Sequence, residues 1–453
     1  MIKKAKVNVL EGNIRSKMLT LALPSLGGMF AITVFNLTDT YFVSKLGTDA
    51  LAAMGFTFPI VMVIGAVAGG ISLGAGSVLA RAMGSGDEHK MHRIATDGIL
   101  LSVLLVIIIS MLGLLTMEPL FKLMGASGQS LDLVIKYMTI WYSGSFVVVI
   151  PSVSDSSMRA IGDMVRPLLV MLVCAIGNVI LDPILIFGWF GLPAMGIEGA
   201  ALATIIARTF GMILSLSFVG LHYKLLDLKY QSINELFLSW YAILSIGIPN
   251  VLVRLLPQLL RGAMTRIAMT TAGVAAVAAI AAGQRIESFG TIVSMAVGVS
   301  IVPIIGQNYG AKQYDRVLET RRIILKVAVY YGLLLFAIAL PFGEFFASIF
   351  SDDLEVIKLT GIYLKIIFIG SIGLNQYNWM SESFNAVGKP KYSVLINVVG
   401  TIGILIPAVF IGASNYGFTG MVTGLAFGQI IIGIFAIWLS RRNLVDESKT
   451  SYR

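Results

Sequence analysis

The sequence predicts an all-α integral membrane protein with twelve transmembrane helices, arranged as two six-helix lobes related by pseudo-twofold symmetry. The first observation is composition: 57% of the 453 residues are hydrophobic and 13% are charged, whereas a typical soluble protein carries about 25% charged residues. The mean hydropathy of +0.87 likewise argues against a set of soluble domains. The second observation is a series of long apolar runs, and the third is an internal repeat that relates the two halves of the chain.

Each apolar run is long enough to cross a hydrocarbon core of about 30 Å. The runs, called spans 1 to 12 in chain order, are predicted near residues 16–42, 51–80, 94–117, 133–157, 165–188, 197–221, 239–267, 275–306, 321–345, 358–384, 391–413 and 416–440. An even number of spans places both termini on the same side of the membrane.

The cations of the loops predict which side that is. Lys and Arg residues concentrate in the N-terminal segment, the even-numbered loops and the tail, and the odd-numbered loops offer Lys45, Lys122, Lys136 and Lys358. Cytoplasmic loops of membrane proteins carry the excess of cations. We therefore expect a multi-pass protein of the inner (plasma) membrane with both termini in the cytoplasm.

The chain is also duplicated. Pro24 of span 1 matches Pro249 of span 7 (249 − 24 = 225), and the segment 160–163 matches 386–389 at an offset of 226. The predicted parts are an N-lobe (residues 1–221), a polar cytoplasmic linker (222–238), and a C-lobe with a cytoplasmic tail (239–453). Two halves of six spans enter the membrane in the same sense, and carriers built this way bind their substrates near the midplane between the halves.

Span 5 contains the most informative polar residues. Asn178 and Asp182 are four residues apart, so their side chains share one face of a helix, and Pro183 leaves a backbone carbonyl unpaired one turn earlier. A carboxylate in mid-membrane costs about 2.5–3.5 kcal/mol on insertion scales and marks a functional site by default. The alternative is an Asp that only hydrogen-bonds a neighbouring helix.

A second acid lies in span 1, and neither acid has a counterpart in the second half. Asp39 corresponds to Met264 at the repeat offset, and Asp182 corresponds to a position near Leu405. A purely structural acid would more naturally be kept in both halves. We therefore expect the first lobe to bind the coupling ion.

Several short motifs resemble those of one transporter family. They lie at residues 21–24 (LALP), 37–47 (LTDTYFVSKLG), 84–87 (GSGD), 306–311 (GQNYGA) and 388–390 (GKP). In this order and spacing they resemble the multidrug and toxic compound extrusion (MATE) family over nearly the whole chain. The resemblance implies a MATE-like fold, a V-shaped carrier of two lobes that exports organic cations in exchange for protons or sodium.

The resemblance also implies site residues. The chain looks most like the DinF-like branch, in which an Asp of span 1, an Asn and an Asp of span 5 and a Thr of span 6 bind the coupling cation. Asp39, Asn178, Asp182 and Thr204 fill these positions, and they would be the metal ligands if the ion is sodium. Asp155 stands where relatives often carry an amide, so it is either a third acid of the site or a solvated helix end.

Further candidates are less specific. Pro24 is the expected hinge of span 1, and the expected substrate cavity of the C-lobe is lined by Gln258, Met264, Met295, Asn375 and Gln376. Four intramembrane charges are open to a functional or a structural role: Arg208, Arg285, Arg254 and Glu287. For Arg208 and Arg285, snorkelling to the interface or interhelical pairing is preferred.

The sequence argues against an enzyme. The spans hold no Ser/His/Asp set and no metal-ligand cluster, all three His residues are in loops, and the single Cys174 allows no internal disulfide. No cofactor is expected. The net charge of +9 follows the loop pattern of a membrane protein and not a nucleic-acid-binding stripe.

We therefore expect a monomeric secondary active multidrug antiporter in the lipid bilayer, which exports organic cations in exchange for protons or sodium. The alternative is a lipid-linked oligosaccharide flippase of the same superfamily, which Arg254 and Arg261 alone support. A flippase should not export ethidium.

Overall fold

The computed structural model describes residues 7–227 and 232–445, which are helical and contain no strand. They form two compact units. Unit 1 comprises residues 7–8, 20–227 and 232–248, and unit 2 comprises residues 9–19 and 249–445. The predicted lobe boundaries at residues 221 and 239 stay a prediction. Much of the predicted basic N-terminal segment, part of the linker and the end of the tail lie outside the described residues.

Unit 1 contains the helices that correspond to the predicted spans 1 to 6. Its helices are α1 (Ile14–Ser44, whose first turns belong to unit 2), α2 (Thr48–Ser85), α3 (Glu88–Leu123), α4 (Gly128–Ser143), α5 (Phe146–Ala160), α6 (Val165–Phe187) and α7 (Gly196–Ser217). A π-helical turn, Phe218–His222, prolongs α7. Helices α4 and α5 are bent by 44° relative to each other, and together they form span 4.

The remaining helices range in length from 9 to 78 residues. They are α8 (Ile233–Gly310), α9 (Tyr314–Ser348), α10 (Leu354–Ala386), α11 (Pro390–Val398) and α12 (Ile406–Asn443), with a π-helical segment (Val399–Leu405) between the last two. Helix α8 starts inside the predicted linker, and its first part, up to residue 248, belongs to unit 1.

Two glycines divide the long helices α8 and α12. The 78 residues of α8 would extend about 117 Å as one straight helix, several times the thickness of a bilayer. Gly273 interrupts α8 with φ 72° and ψ −160°, and Gly417 interrupts α12 with φ 58° and ψ −139°. Residues with a Cβ rarely adopt such positive φ angles. The glycines therefore mark where the chain turns back into the membrane.

These breaks reconcile the helices with the predicted number of spans. Within the described ranges, nine helices are long and apolar enough to cross a membrane, and the bent α4–α5 pair makes a tenth. The breaks at Gly273 and Gly417 each divide one of them into two. The protein is thus a twelve-span, all-α multi-pass membrane protein, and the predicted fold class is confirmed.

Small polar side chains hold α2 against α5 in unit 1. The Ser72 hydroxyl donates a hydrogen bond to the carbonyl of Ser152 (2.6 Å), and the Ser156 hydroxyl donates to the carbonyl of Ser72 (2.5 Å). Lipid chains are as apolar as leucine, so close packing and interhelical hydrogen bonds, and not the hydrophobic effect, hold membrane helices together.

The loop between α5 and α6 is tied to the end of α7. The Asp163 carboxylate accepts a hydrogen bond from the Tyr223 hydroxyl (2.5 Å) and forms a salt bridge with Arg166 (2.5 Å). The other guanidinium nitrogen of Arg166 contacts His222 Nε2 at 2.7 Å. A charged cluster at the first turn of α6 and just beyond α7 thereby ties together the two helices that carry most of the site described below.

The N-terminal segment is anchored in unit 2. The carbonyl of Val9 accepts hydrogen bonds from the side chains of Asn308 (3.2 Å) and Arg316 (3.1 Å), and Arg316 also donates to the carbonyl of Gly12 (3.0 Å). Val9 is fully buried. The chain therefore enters α1 from a fixed position.

Candidate functional site

The centre of the site is a pair of polar residues on α6. Asn178 and Asp182 lie one turn apart, and the Asn178 amide donates a hydrogen bond to Asp182 Oδ1 (3.0 Å). The same amide nitrogen lies 3.4 Å from the hydroxyl of Thr204 on α7. Asn178 and Asp182 have no exposed surface, and Thr204 is 5% exposed. The structure thus brings together three of the four residues predicted to bind the coupling cation.

The fourth residue, Asp39, comes from α1. It is 8% exposed, and its carboxylate is within electrostatic range of Asp182. The distance along the sequence from Pro24 to Asp39 is fifteen residues (39 − 24 = 15), about four helical turns. In this structure α1 continues without a break through Pro24. We call the group Asp39, Asn178, Asp182 and Thr204 the cation pocket.

Three oxygen atoms of the cation pocket have no hydrogen-bond donor among the described residues. They are Asp39 Oδ1, Asn178 Oδ1 and Asp182 Oδ2. Buried polar atoms are nearly always paired, and an exception calls for an explanation such as an ion or a water molecule. Carboxylate, amide and hydroxyl oxygens are ligands that suit a hard cation, and a carboxylate alone suffices for a proton. The oxygen atoms of the cation pocket therefore fit either a sodium ion or a proton.

An arginine for which the sequence favoured snorkelling or interhelical pairing also lies here. Arg208 follows Thr204 by one turn on α7, and its guanidinium lies 4.9 Å from the centre of the Phe35 ring on α1. It is within electrostatic range of Asp39 and of Tyr137 on α4. The four-residue spacing from Thr204 was the sequence signal that could have placed Arg208 in the pocket. Nothing in the sequence singled out Tyr137.

Asp155 belongs to a different contact. It lies on α5, is 1% exposed, and accepts a hydrogen bond from the hydroxyl of Ser215 on α7 (2.7 Å). It is also within electrostatic range of Arg159. Of the two alternatives from the sequence, a solvated helix end does not match this burial. A role for Asp155 in ion binding stays a prediction.

The cavity candidates of unit 2 have different environments. Asn375 accepts a hydrogen bond from the Ser294 hydroxyl, and it is 2% exposed, as is Met264. Gln376 is 9% exposed, whereas Met295 is 58% exposed and Gln258 is also exposed. The structure therefore does not bring these five residues into one environment, and their role in a substrate cavity stays a prediction.

Two acids of unit 2 face arginines. Glu287 accepts a hydrogen bond from the Tyr363 hydroxyl (2.6 Å) and is within electrostatic range of Arg261. Glu382 is within electrostatic range of Arg254. Arg285 is exposed. Glu287 thus has the partner on another helix that its position required.

The chain matches known proteins along nearly its entire length. The model of the MatE family matches residues 24–184 and 249–411, one segment in each half. A FAD transporter of Shewanella oneidensis is 33% identical over 97% of both chains. The multidrug export protein MepA of Staphylococcus haemolyticus is 25% identical, also over 97% of both chains.

A solved structure agrees with this match. The crystal structure of the Vibrio cholerae MATE transporter VcmN in the bent form superimposes with a TM-score of 0.90 at 29% identity, covering 96% of this chain and 97% of that one.

Proposed function

Because the chain belongs to the MatE family, and is therefore a membrane transporter and not an enzyme, we propose that it is a secondary active exporter of small organic molecules. Its coupling ion, a proton or sodium, enters the cation pocket in exchange for the substrate. The observation that carries this proposal is the set of three buried oxygens without donors on Asp39, Asn178 and Asp182.

The chemistry of the pocket supports a coupling role. Two carboxylates that share one buried site repel each other when both are charged. A proton or a sodium ion neutralises part of this charge, and Asn178 and Thr204 supply further oxygens to sodium. Bending of α1 at Pro24 would then move Asp39 and expel the substrate. The ion can drive this change only through its different affinities for the two states.

Bulky organic cations are the first candidate substrates. The acids of the cation pocket attract positive charge, and the name of the MepA relative is multidrug export protein. In this proposal the protein acts as a monomer in the plasma membrane.

A flavin dinucleotide is the second candidate. The Shewanella relative, 33% identical to this chain, is named a FAD transporter. The chain also carries cations that suit phosphate groups: Arg208 in unit 1, and the exposed Arg254 and Arg261 in unit 2. Arginine pairs with phosphate through two parallel hydrogen bonds.

The test is transport by the purified protein in proteoliposomes, with proton and sodium gradients imposed separately. We expect one of the two gradients to drive uphill transport of ethidium or of FAD, and no transport without a gradient. Ethidium transport would support the first candidate, and FAD transport the second. If neither gradient drives either compound, the proposed function is wrong for these substrates, and a flippase becomes the better hypothesis.

A further inference from the structure

Arg208 is a charge in the middle of a membrane span. It is twelve residues from Gly196, the first residue of α7 (208 − 196 = 12), about 18 Å at the rise of an α-helix. A central arginine is costly to insert, and it faces the interior of the bundle or a cavity. Among the described residues, no carboxylate lies within 4.0 Å of its guanidinium. Ordinary ion pairing therefore does not explain it.

Its contacts connect α7 to α1. Phe35 and Asp39 are four residues apart on α1, so they share a face, and Thr204 and Arg208 are four apart on α7. The guanidinium lies 4.9 Å from the centre of the Phe35 ring, and Phe35 is 6% exposed. The Arg208 side chain thus contacts the buried ring of Phe35 and interacts electrostatically with Asp39, one turn further along α1.

The other titratable groups around Arg208 come from two more helices. Tyr137 of α4 and Cys174 of α6 lie within electrostatic range of the guanidinium, in addition to Asp39. Asp182, also on α6, is within electrostatic range of Asp39. At neutral pH the only fixed positive charge among these groups is that of Arg208.

We propose that Arg208 is a positioning residue of the cation pocket, which holds α1 against α7 and acts as a tethered substitute for the coupling cation. Without the coupling cation, the guanidinium attracts Asp39 and stacks on Phe35. A cation that binds Asp39 competes for the same negative charge, which weakens the hold of Arg208 on α1. Helix α1 is then free to bend at Pro24. This inference rests on the proposed coupling through the cation pocket.

The chemistry of arginine matches this role better than that of lysine. A guanidinium is planar, stays charged at every relevant pH and stacks on aromatic rings, whereas an ammonium is a strongly hydrated point charge. Charge and stacking should therefore be separable by substitution. Arg208→Met removes both, Arg208→Lys keeps the charge, and Phe35→Leu removes only the ring.

The first experiment measures binding of the coupling cation to purified protein by calorimetry, with sodium at fixed pH and with acid in the absence of sodium. We expect Arg208→Met to lower the half-saturating concentration of the coupling cation by about tenfold or more, because a competing positive charge is gone. Arg208→Lys and Phe35→Leu should stay within about threefold of wild type, since both keep the charge. The matched control is Arg266→Met, which changes an exposed arginine of unit 2 and should have no effect.

The second experiment follows α1 directly. Spin labels at Ser44 and Gln129, both exposed and both in unit 1, are introduced in a Cys174→Ala background. In wild type the distance distribution should change when the coupling cation is added. Phe35→Leu and Arg208→Met should broaden it without the cation, because a contact that holds α1 has been removed.

The outcomes separate the two proposals. If wild-type protein binds neither cation, the proposed coupling fails. If wild type binds the cation but Arg208→Met, folded and equally stable, has the same half-saturating concentration, the role of Arg208 is overturned. Equal loss of stability in Arg208→Met and Arg208→Lys without a change of cation affinity would leave Arg208 as a packing residue and also refute the inference.

Discussion

The central residue-scale feature is a pair of buried carboxylates on different helices. Asp39 of α1 and Asp182 of α6 share an environment of low polarity, and each has one oxygen without a donor. Groups coupled this closely gain and lose protons as a pair and not one by one. In the proposed mechanism, a single bound cation neutralises part of their joint charge.

Asp39→Asn removes the charge of the Asp39 carboxylate but keeps the shape of the side chain. We expect normal expression, and gradient-driven transport reduced by at least about tenfold, because an interaction with a charged group worth about 1.5–3 kcal/mol is lost. Asn178→Ala should leave transport possible but raise the half-saturating concentration of the coupling ion. Proteoliposome transport measures both.

The control for Asp39→Asn is the same substitution at Asp49, an exposed acid in the first turn of α2, which should transport like wild type. Wild-type rates against a gradient by the Asp39→Asn protein would remove Asp39 from the mechanism.

A second residue-scale prediction concerns Asp163, which lies outside the spans. Burial by itself raises the pKa of this carboxyl, but hydrogen bonds from Tyr223, from the Arg166 side chain and from backbone N–H groups together lower the pKa below its ordinary value of 3.8. A pKa lowered by folding stabilises the folded protein above the ordinary value, and this stabilisation is lost as the pH falls through the lower, folded-state pKa.

We therefore expect the thermal stability of wild type in detergent to decrease when the pH is lowered below about 4, partly because Asp163 becomes protonated. Asp163→Asn should be less stable than wild type at pH 7 by about 1–3 kcal/mol, and the difference should shrink at acid pH. Thermal unfolding of both proteins from pH 7 to pH 3 measures this. A difference that stays constant over this range would contradict the prediction.

At the scale of the elements, glycine permits close contact within unit 2. A Cβ built on Gly424 of α12 would lie 2.1 Å from the carbonyl oxygen of Ala408, on the preceding part of the same helix before the Gly417 break. Backbone cannot move away as a flexible side chain can. The two segments joined by the break therefore pack at backbone distance, as small residues allow in membranes.

Gly424→Ala should consequently destabilise the protein by about 1–3 kcal/mol, the usual cost of overpacking. Thermal unfolding in detergent should show a melting temperature lower by several degrees. The matched control is Gly262→Ala in α8, where an added Cβ meets nothing within 4 Å; it should be neutral or slightly stabilising. Equal melting temperatures for the two variants would show that the contact is looser than described.

The elements also show what a sequence can and cannot predict. The spans follow from length and hydropathy, since a bilayer requires long apolar helices. The 44° bend between α4 and α5 and the start of α8 at residue 233, inside the predicted linker, depend on packing, which hydropathy does not report. In the same way Asp39, Asn178, Asp182 and Thr204 could be predicted from residue type and resemblance. The four-residue spacing from Thr204 could have placed Arg208 beside them, but its contact with Phe35 could not be predicted, because it depends on which helix lies opposite.

At the scale of the whole molecule, the orientation in the membrane is a prediction of the loop charges. In a Cys174→Ala background, a Cys at Ser127, in the exposed turn before α4, should be labelled from outside intact cells by an impermeant thiol reagent. A Cys at Ser232, just before α8, should be labelled only after the membrane is opened, because basic loops stay in the cytoplasm. The opposite pattern would invert the topology and with it the direction of transport.

The anchoring of Val9 has a consequence for biosynthesis. Its carbonyl binds Asn308, 299 residues later in the chain, so at about 5–20 residues per second the ribosome needs roughly 15–60 s to supply that partner. During this interval the first helix can enter the bilayer but its entry segment has no place to dock. Residues around Val9 are thus fixed only after Asn308 has been made, and nascent chains released before Asn308 should be substrates for membrane quality control.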